Sequence, residues 1–200
     1  RRRRAWAAAV APWGAFVPAL NALLGEARRR GAHHLLYQSM ETVLDKDIVN
    51  TLRSHLTSTD LVVGAALPGH DFQEGRRVAL GGTTTPWNTA AVWDARTLSL
   101  TGFPPVADGL LPGLEPGVEE VAAITLLQHI KPEISNAKVI RMPQIQWVTK
   151  WRDPERQAWH ERKMASKARR AAAQVAALGL PRGEVEHINA VSARPATPFY

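Results

Sequence analysis

Apolar residues recur along this chain with two alternating periods. Between Phe16 and Arg30, the positions Val17, Leu20, Leu23, Leu24 and Ala27 fall on one helical face. Arg28–Arg30 suit that helix's C-terminal end and Gly31 closes it. The run His34–Tyr37 is too short for a helix. Entered from one helix and left by another, it reads as a buried strand of a parallel sheet. Ile48, Val49, Leu52 and Leu56 predict a helix from Asp45 to about Leu56. Asp60–Leu67 predicts a second strand, stopped by Pro68-Gly69. Trp87–Trp93 predicts a third, with a helical turn at Asp94–Leu100, and Ala137–Met142 another, ended by Pro143. Val118–Ile130 predicts a helix opening on Glu119 and Glu120, where the helix dipole favours acids. Asp153-Pro154-Glu155 supplies an N-cap and a proline at the first helical position, starting a long basic helix that runs to about Leu178. The polar, glycine-rich segment His70–Gly82 reads as a mobile loop, Gly102–Pro116 as a proline- and glycine-rich connection, and the last twenty residues as irregular. Strands alternating with helices indicate an α/β layer fold, with a mainly parallel sheet flanked by helices.

Composition narrows this picture. A chain of 200 residues with 45% hydrophobic content suits one domain with a substantial core. The absence of cysteine excludes disulfides, thiolate zinc sites and cysteine nucleophiles. No apolar run approaches a membrane span, and a cytoplasmic location is the expectation. The net charge of +7 suggests a nucleic-acid binder until it is divided. Residues 1–30 carry seven arginines against one acid, residues 31–149 eight basic groups against twelve acids, and residues 150–200 ten against five. The excess lies at the two ends, whereas a nucleic-acid binder would carry its basic stripe on the folded surface. Solvated helix faces and a basic tail explain it more simply, and contact of the termini with nucleic acid or an anionic surface stays open.

The candidate chemistry gathers around one polar knot, Gln38-Ser39-Met40-Glu41-Thr42, directly after the first strand. Ligands of open α/β sheets bind beyond the carboxyl ends of the strands, and Glu41 stands there. Glu119 and Glu120 open a helix, where they serve equally as dipole-stabilising acids. Trp87 and Asn88 offer an indole face and an amide, a pair suited to a sugar ring and its hydroxyls. Of the seven tryptophans, Trp93, Trp147 and Trp159 are more simply core residues. His33 and His34 sit at a strand entry, the wrong end for ligands, and His70 is a lone loop histidine. Ser39 lacks the G-x-S-x-G surroundings of a nucleophile.

In this order the segments resemble the central and C-terminal part of a GT-A-type glycosyltransferase, of the inverting, family-2-like branch. The stretch LNALLGEARRRGAHHLLYQSMETVLDKD matches the family's helix with an Asn, here Asn21, and its metal-binding D-x-D strand. Ser39-Met40-Glu41 occupies the D-x-D place. Asp60–Ala66, Trp87-Asn88-Thr89, Gly102-Phe103-Pro104, Gly117-Val118-Glu119-Glu120 and Ala137–Met142 match later segments, so the resemblance covers about residues 16–149. It implies transfer of a sugar from a nucleotide-sugar donor to a hydroxyl acceptor with inversion. Glu120 would be the catalytic base, Glu41 the ligand of Mn²⁺ or Mg²⁺ on the diphosphate, and Ser39 a donor-side residue. Trp87, Asn88 and Glu119 would lie on the acceptor side. Two departures stand against it. Ser39 replaces one of the two carboxylates, and only one helix precedes the supposed metal strand, where the family has two or more βα units.

The expected organisation is therefore a basic, disordered segment at 1–15, a partial GT-A-like domain at 16–150 that is incomplete at its N-terminus, a basic helix at 151–180 and an irregular tail at 181–200. The N-terminal half of the long helix is expected to dock through Trp159, with its Arg162–Arg170 stretch largely solvated. A reduced enzyme of this kind is expected neither to bind nucleotide-sugars measurably nor to be stabilised by Mn²⁺. The alternatives are a non-catalytic relative kept as a binding or assembly module, and a nucleic-acid-associated accessory protein.

Overall fold

The computed structural model describes residue 9 and residues 16–142 and 144–190. Its centre is a six-stranded sheet in the order β1-β5-β3-β6-β8-β4, formed by His34–Gln38 (β1), Asp60–Ala65 (β3), Arg77–Ala79 (β4), Ala90–Asp94 (β5), Asn136–Arg141 (β6) and Glu184–Asn189 (β8). A two-stranded ribbon pairs Thr42–Val43 (β2) with Gln146–Trp147 (β7). The helices are Phe16–Arg29 (α1), Lys46–Ser54 (α2), Ala95–Leu98 (α3), Glu119–Ile130 (α4), Pro154–Ala165 (α5) and Lys167–Leu178 (α6).

The sheet is mixed, and this corrects the mainly parallel sheet expected from the alternation. β3 and β6 are parallel, as are β6 and β8. β5 runs antiparallel to both its neighbours, β1 and β3, and β4 runs antiparallel to β8. The connection from β3 to β5 holds only loops and the short β4, with no crossover helix to bring β5 back in the same direction. β1 is an outer strand whose neighbour is β5.

The sheet separates two apolar clusters. On one side α1, α4 and α6 pack through Val17, Leu20, Leu24, Val121, Ile124, Leu127, Ala171 and Val175 onto Trp93, Val139 and Val185. On the other side Ile48 and Leu52 of α2 meet Val63, Val92, Ile140 and Trp87, with Trp147 and Met164 packed against them. Burying each such side chain contributes about 1.5–3 kcal/mol, so the three-layer arrangement is held chiefly by these two clusters. α1 is also tied to the rest by Asn21. Its amide donates to the Phe103 carbonyl at 3.0 Å and its Oδ1 accepts from the Phe103 N–H at 2.8 Å. Residue 102 is left-handed at φ 65°, and a Cβ there would sit 2.7 Å from Asn21 Oδ1. Glycine is required at that point.

Three further expectations change. The segment His70–Gly82 is pinned rather than mobile. Gln73 N–H donates to the buried His187 at 2.9 Å, Asp71 N–H to the Thr83 carbonyl at 2.9 Å, and β4 adds to the sheet. The tail expected to be irregular supplies β8, an inner strand of the sheet, through residue 189. The long helix is two helices that break at Ser166; most of Arg162–Arg170 is exposed, as expected, but the residues that dock are different ones. Trp159 is 54% exposed, while Lys167, Arg170, Ala171, Gln174 and Val175 are buried. The basic segment assigned to residues 1–15 lies outside the described residues, residue 9 apart. No helix among the described residues is long and apolar enough to cross a membrane.

Candidate functional site

Ser39 and Glu41 follow β1 at the edge of the sheet where its neighbour β5 begins. Ser39 N–H donates to the Thr89 carbonyl at 2.9 Å, and Thr42 Oγ1 donates to the carbonyl oxygens of Ser39 and Thr89. The ribbon of β2 with β7 then brings Trp147 beside them, with Val148 N–H donating to the Glu41 carbonyl at 2.9 Å. Both Glu41 carboxylate oxygens are engaged. Oε1 accepts from Arg156 Nη2 at 2.8 Å, and Oε2 accepts from the Ser39 hydroxyl. The Ser39 hydroxyl first, and the Arg156 guanidinium after it, hold the Glu41 carboxyl below the usual carboxylate range.

Glu119 and Glu120 reach the same edge from below. Their side chains are buried, at 4% and 5% exposure, in the first turn of α4. Asn88, just before β5, donates its backbone N–H to Glu120 and its Nδ2 to Glu119 at 2.8 Å. Burial raises both carboxyls, and the Glu119 charge raises Glu120 further, to about 8. The turn into α4 is backed by α6. Gln174 donates to the carbonyls of Glu115 and Gly117, and Arg170 donates to the carbonyl of Pro116 at 2.6 Å. Val118, the helix's N-cap, is held left-handed at φ 56°, a conformation that costs a branched residue on the order of 1 kcal/mol or more.

Above this edge lies a cleft of about 520 Å³, bounded by Ser39, Glu41, Thr89, Trp147, Trp151 and side chains of α5 and its junction with α6. Arg156, His160, Lys163 and Lys167 face it at helical spacing, and Arg170 and Gln174 continue the same stripe below. Lys167 stands between the cleft and the acid pair. Its ammonium lies 3.1 Å from the Trp87 ring centroid, and burial pushes it down to about 7 against the opposing charge of Glu120. Burial, and then the charges of Lys163 and Lys167, push His160 down.

Of the residues expected to act together, Ser39 and Glu41 line the cleft, while Asn88 and the buried Glu119 and Glu120 lie beside Thr89 and do not line it. Trp87 is not available to stack on a sugar. It is 1% exposed, His70 stacks on its ring at 3.7 Å, and its indole N–H donates to the Gly82 carbonyl at 2.8 Å. The amide of Asn88 is occupied by Glu119 and Trp93. His70 is a neutral structural histidine, accepting at Nδ1 from the Leu67 N–H with Nε2 on the Thr85 carbonyl, and burial pushes it to about 4. The carboxylate oxygens of Glu41 hold a guanidinium and a hydroxyl, so a divalent metal ion would have to displace Arg156 to bind there. Among the described residues no group of three His, Asp or Glu side chains could hold one. The cationic stripe was missed in sequence because the long helix was judged by its few apolar residues. The spacing of Arg156, His160, Lys163, Lys167 and Arg170 was the available signal.

No protein-family model matches this chain, and no curated protein matches it.

Proposed function

We propose that the cleft between the sheet edge and α5 is a glycosyl-transfer site, where a sugar passes from a nucleotide-sugar donor to an acceptor hydroxyl by single displacement with inversion. The observation that carries this reading is the convergence of Ser39 and Glu41 with Glu119 and Glu120, about eighty residues on, through the adjacent Thr89 and Asn88. On this reading Glu120 takes the proton of the acceptor hydroxyl. Its raised proton affinity makes it a strong base once ionised, and the neighbouring Lys167 favours that ionised state. Glu119 and Asn88 position it, and Ser39 and Glu41 lie on the donor side. No step runs through a metal ion, since the oxygens of Glu41 are taken by Arg156 and Ser39.

The test is release of nucleoside diphosphate from a panel of nucleotide-sugars by the full chain, with and without simple hydroxyl acceptors. Acceptor-dependent release that is lost in Glu120→Gln supports the reading, and release unchanged in Glu120→Gln overturns the role of that base. A second reading, a binding module without turnover, draws on the deep burial of Glu120. Saturable binding with no release from either protein decides for it.

A further inference from the structure

The cleft walls carry three side-chain cations, Arg156, Lys163 and Lys167, against one carboxylate, Glu41. That carboxylate is already neutralised by Arg156 at 2.8 Å. Among the described residues neither Lys163 nor Lys167 forms a salt bridge. Both ammonium groups rest instead on indole rings, Lys163 at 4.9 Å from the centroid of Trp159 and Lys167 at 3.1 Å from that of Trp87. One helical turn apart on the same face, these two like charges repel each other, and an anion between them would relieve that repulsion.

We propose that this cleft binds the diphosphate of a pyrophosphate ester through Lys163, Lys167 and Arg156, without a divalent cation. The choice of a diphosphate rests on the glycosyl-transfer reading; the charge argument does not. A guanidinium fixed on Glu41 and two ammonium groups that form no salt bridge among the described residues supply the positive charge that a metal ion would otherwise bring to the phosphates. The volume of about 520 Å³ suits a ligand larger than the anion alone, and Trp147, Trp151 and Trp159 on the walls offer ring faces to its organic part.

The experiment is a titration of the full chain with inorganic pyrophosphate and with a nucleoside diphosphate, in excess EDTA, followed by tryptophan fluorescence. Saturable binding is expected in EDTA, with Mn²⁺ changing affinity less than about twofold. Lys163→Glu, at an exposed position, should weaken binding by about tenfold or more with an unchanged melting curve, and Lys163→Arg should retain it. Binding that requires Mn²⁺, binding untouched by Lys163→Glu, or no binding at all overturns the proposal. Orthophosphate bound as tightly as pyrophosphate would reduce the site to an unselective anion patch, which also overturns it. Pyrophosphate binding as expected with no sugar transfer from any donor leaves this site standing and removes the glycosyl-transfer reading.

Discussion

Asn88 is hydrogen-bonded to both carboxyls of the buried acid pair at once, through its backbone N–H to Glu120 and its Nδ2 to Glu119 at 2.8 Å. Its remaining oxygen accepts from the Trp93 indole N–H at 2.9 Å. This single residue, two positions before β5, thus fixes the start of α4 against the sheet. Two adjacent acids can be buried there because the helix N-terminus, this amide and the nearby Lys167 all favour negative charge.

Replacing Asn88 by Ala keeps the backbone N–H to Glu120 but strips a donor from Glu119 and an acceptor from a buried indole. Each buried group left without a partner costs about 1–3 kcal/mol. The expected destabilisation is about 2–4 kcal/mol, read from urea unfolding. A loss below about 0.5 kcal/mol would mean that the acid pair is not held in this way.

Stability should depend on pH through this cluster. Glu120 is raised to about 8 in the folded protein and Glu119 is also raised, both by burial. Between the ordinary carboxyl range and about 8 the folded state therefore binds more protons than the unfolded chain, and stability falls as pH rises. Lys167 is lowered to about 7, also by burial, so from about 7 up to the ordinary lysine range the unfolded chain binds more protons and stability rises with pH. The two trends oppose each other near pH 7–8, where a shallow minimum is expected. Glu120→Gln should flatten the falling limb, leaving only the part due to Glu119, and be more stable than the parent at pH 8 relative to pH 5. Urea midpoints across pH 4–10 for both proteins test this, and identical profiles would contradict it.

The regular elements were legible because each carries a local signal. The apolar run at Leu35–Tyr37, the valine-rich Leu61–Val63 and the capping Asp45 and Asp153 all stand where the elements form, with both aspartates accepting hydrogen bonds from the first helical turn. The direction of β5 was not legible, since strand direction depends on what the connections do in space rather than on the pattern within the strand. β8 was missed because Glu184–Asn189 alternates polar and apolar residues too weakly, with a histidine, His187, at a fully buried position. In the site, Ser39, Glu41 and Glu120 were found through their places at element ends. Arg156, Lys163 and Lys167 were not, because an inward-facing cationic stripe carries the same letters as a solvated one. Only the docking of α6 onto α4, through Ala171 and Val175, decides which it is.

The pairing of Arg156 with Glu41 predicts how a metal site could be built. Ser39→Asp combined with Arg156→Ala gives two carboxylates on one turn and removes the competing guanidinium. The parent should show no Mn²⁺-dependent rise in melting temperature, and the double variant should show a rise of several degrees at millimolar Mn²⁺. The Arg156→Ala change alone should cost less than about 1 kcal/mol, since the pair is substantially exposed. Equal Mn²⁺ responses from the parent and the double variant would show that the arginine does not take the metal's place.

The junction of α5 with α6 sets where Lys167 stands, and Gly82 makes that junction possible. A Cβ at Gly82 would clash with the backbone carbonyl of Lys167 and lie 2.9 Å from the Ala168 nitrogen, so neither neighbour can yield by turning a side chain. The Gly82 carbonyl also accepts from the Trp87 indole, the ring on which the Lys167 ammonium rests. Gly82→Ala should therefore push the junction outward and cost about 1–3 kcal/mol, the range for forced overpacking. It should also shift tryptophan fluorescence, because Trp87 would lose contact with His70 or Lys167. Gly25→Ala is the control. It lies inside α1 with no atom within 4 Å of the added Cβ, and replacing a helical glycine there should stabilise by about 0.5–1 kcal/mol. Urea unfolding of the two variants should thus move in opposite directions. If Gly82→Ala proves neutral while Gly25→Ala stabilises, the helix pair sits farther from the sheet edge than this packing requires, and the cleft beneath it is correspondingly wider.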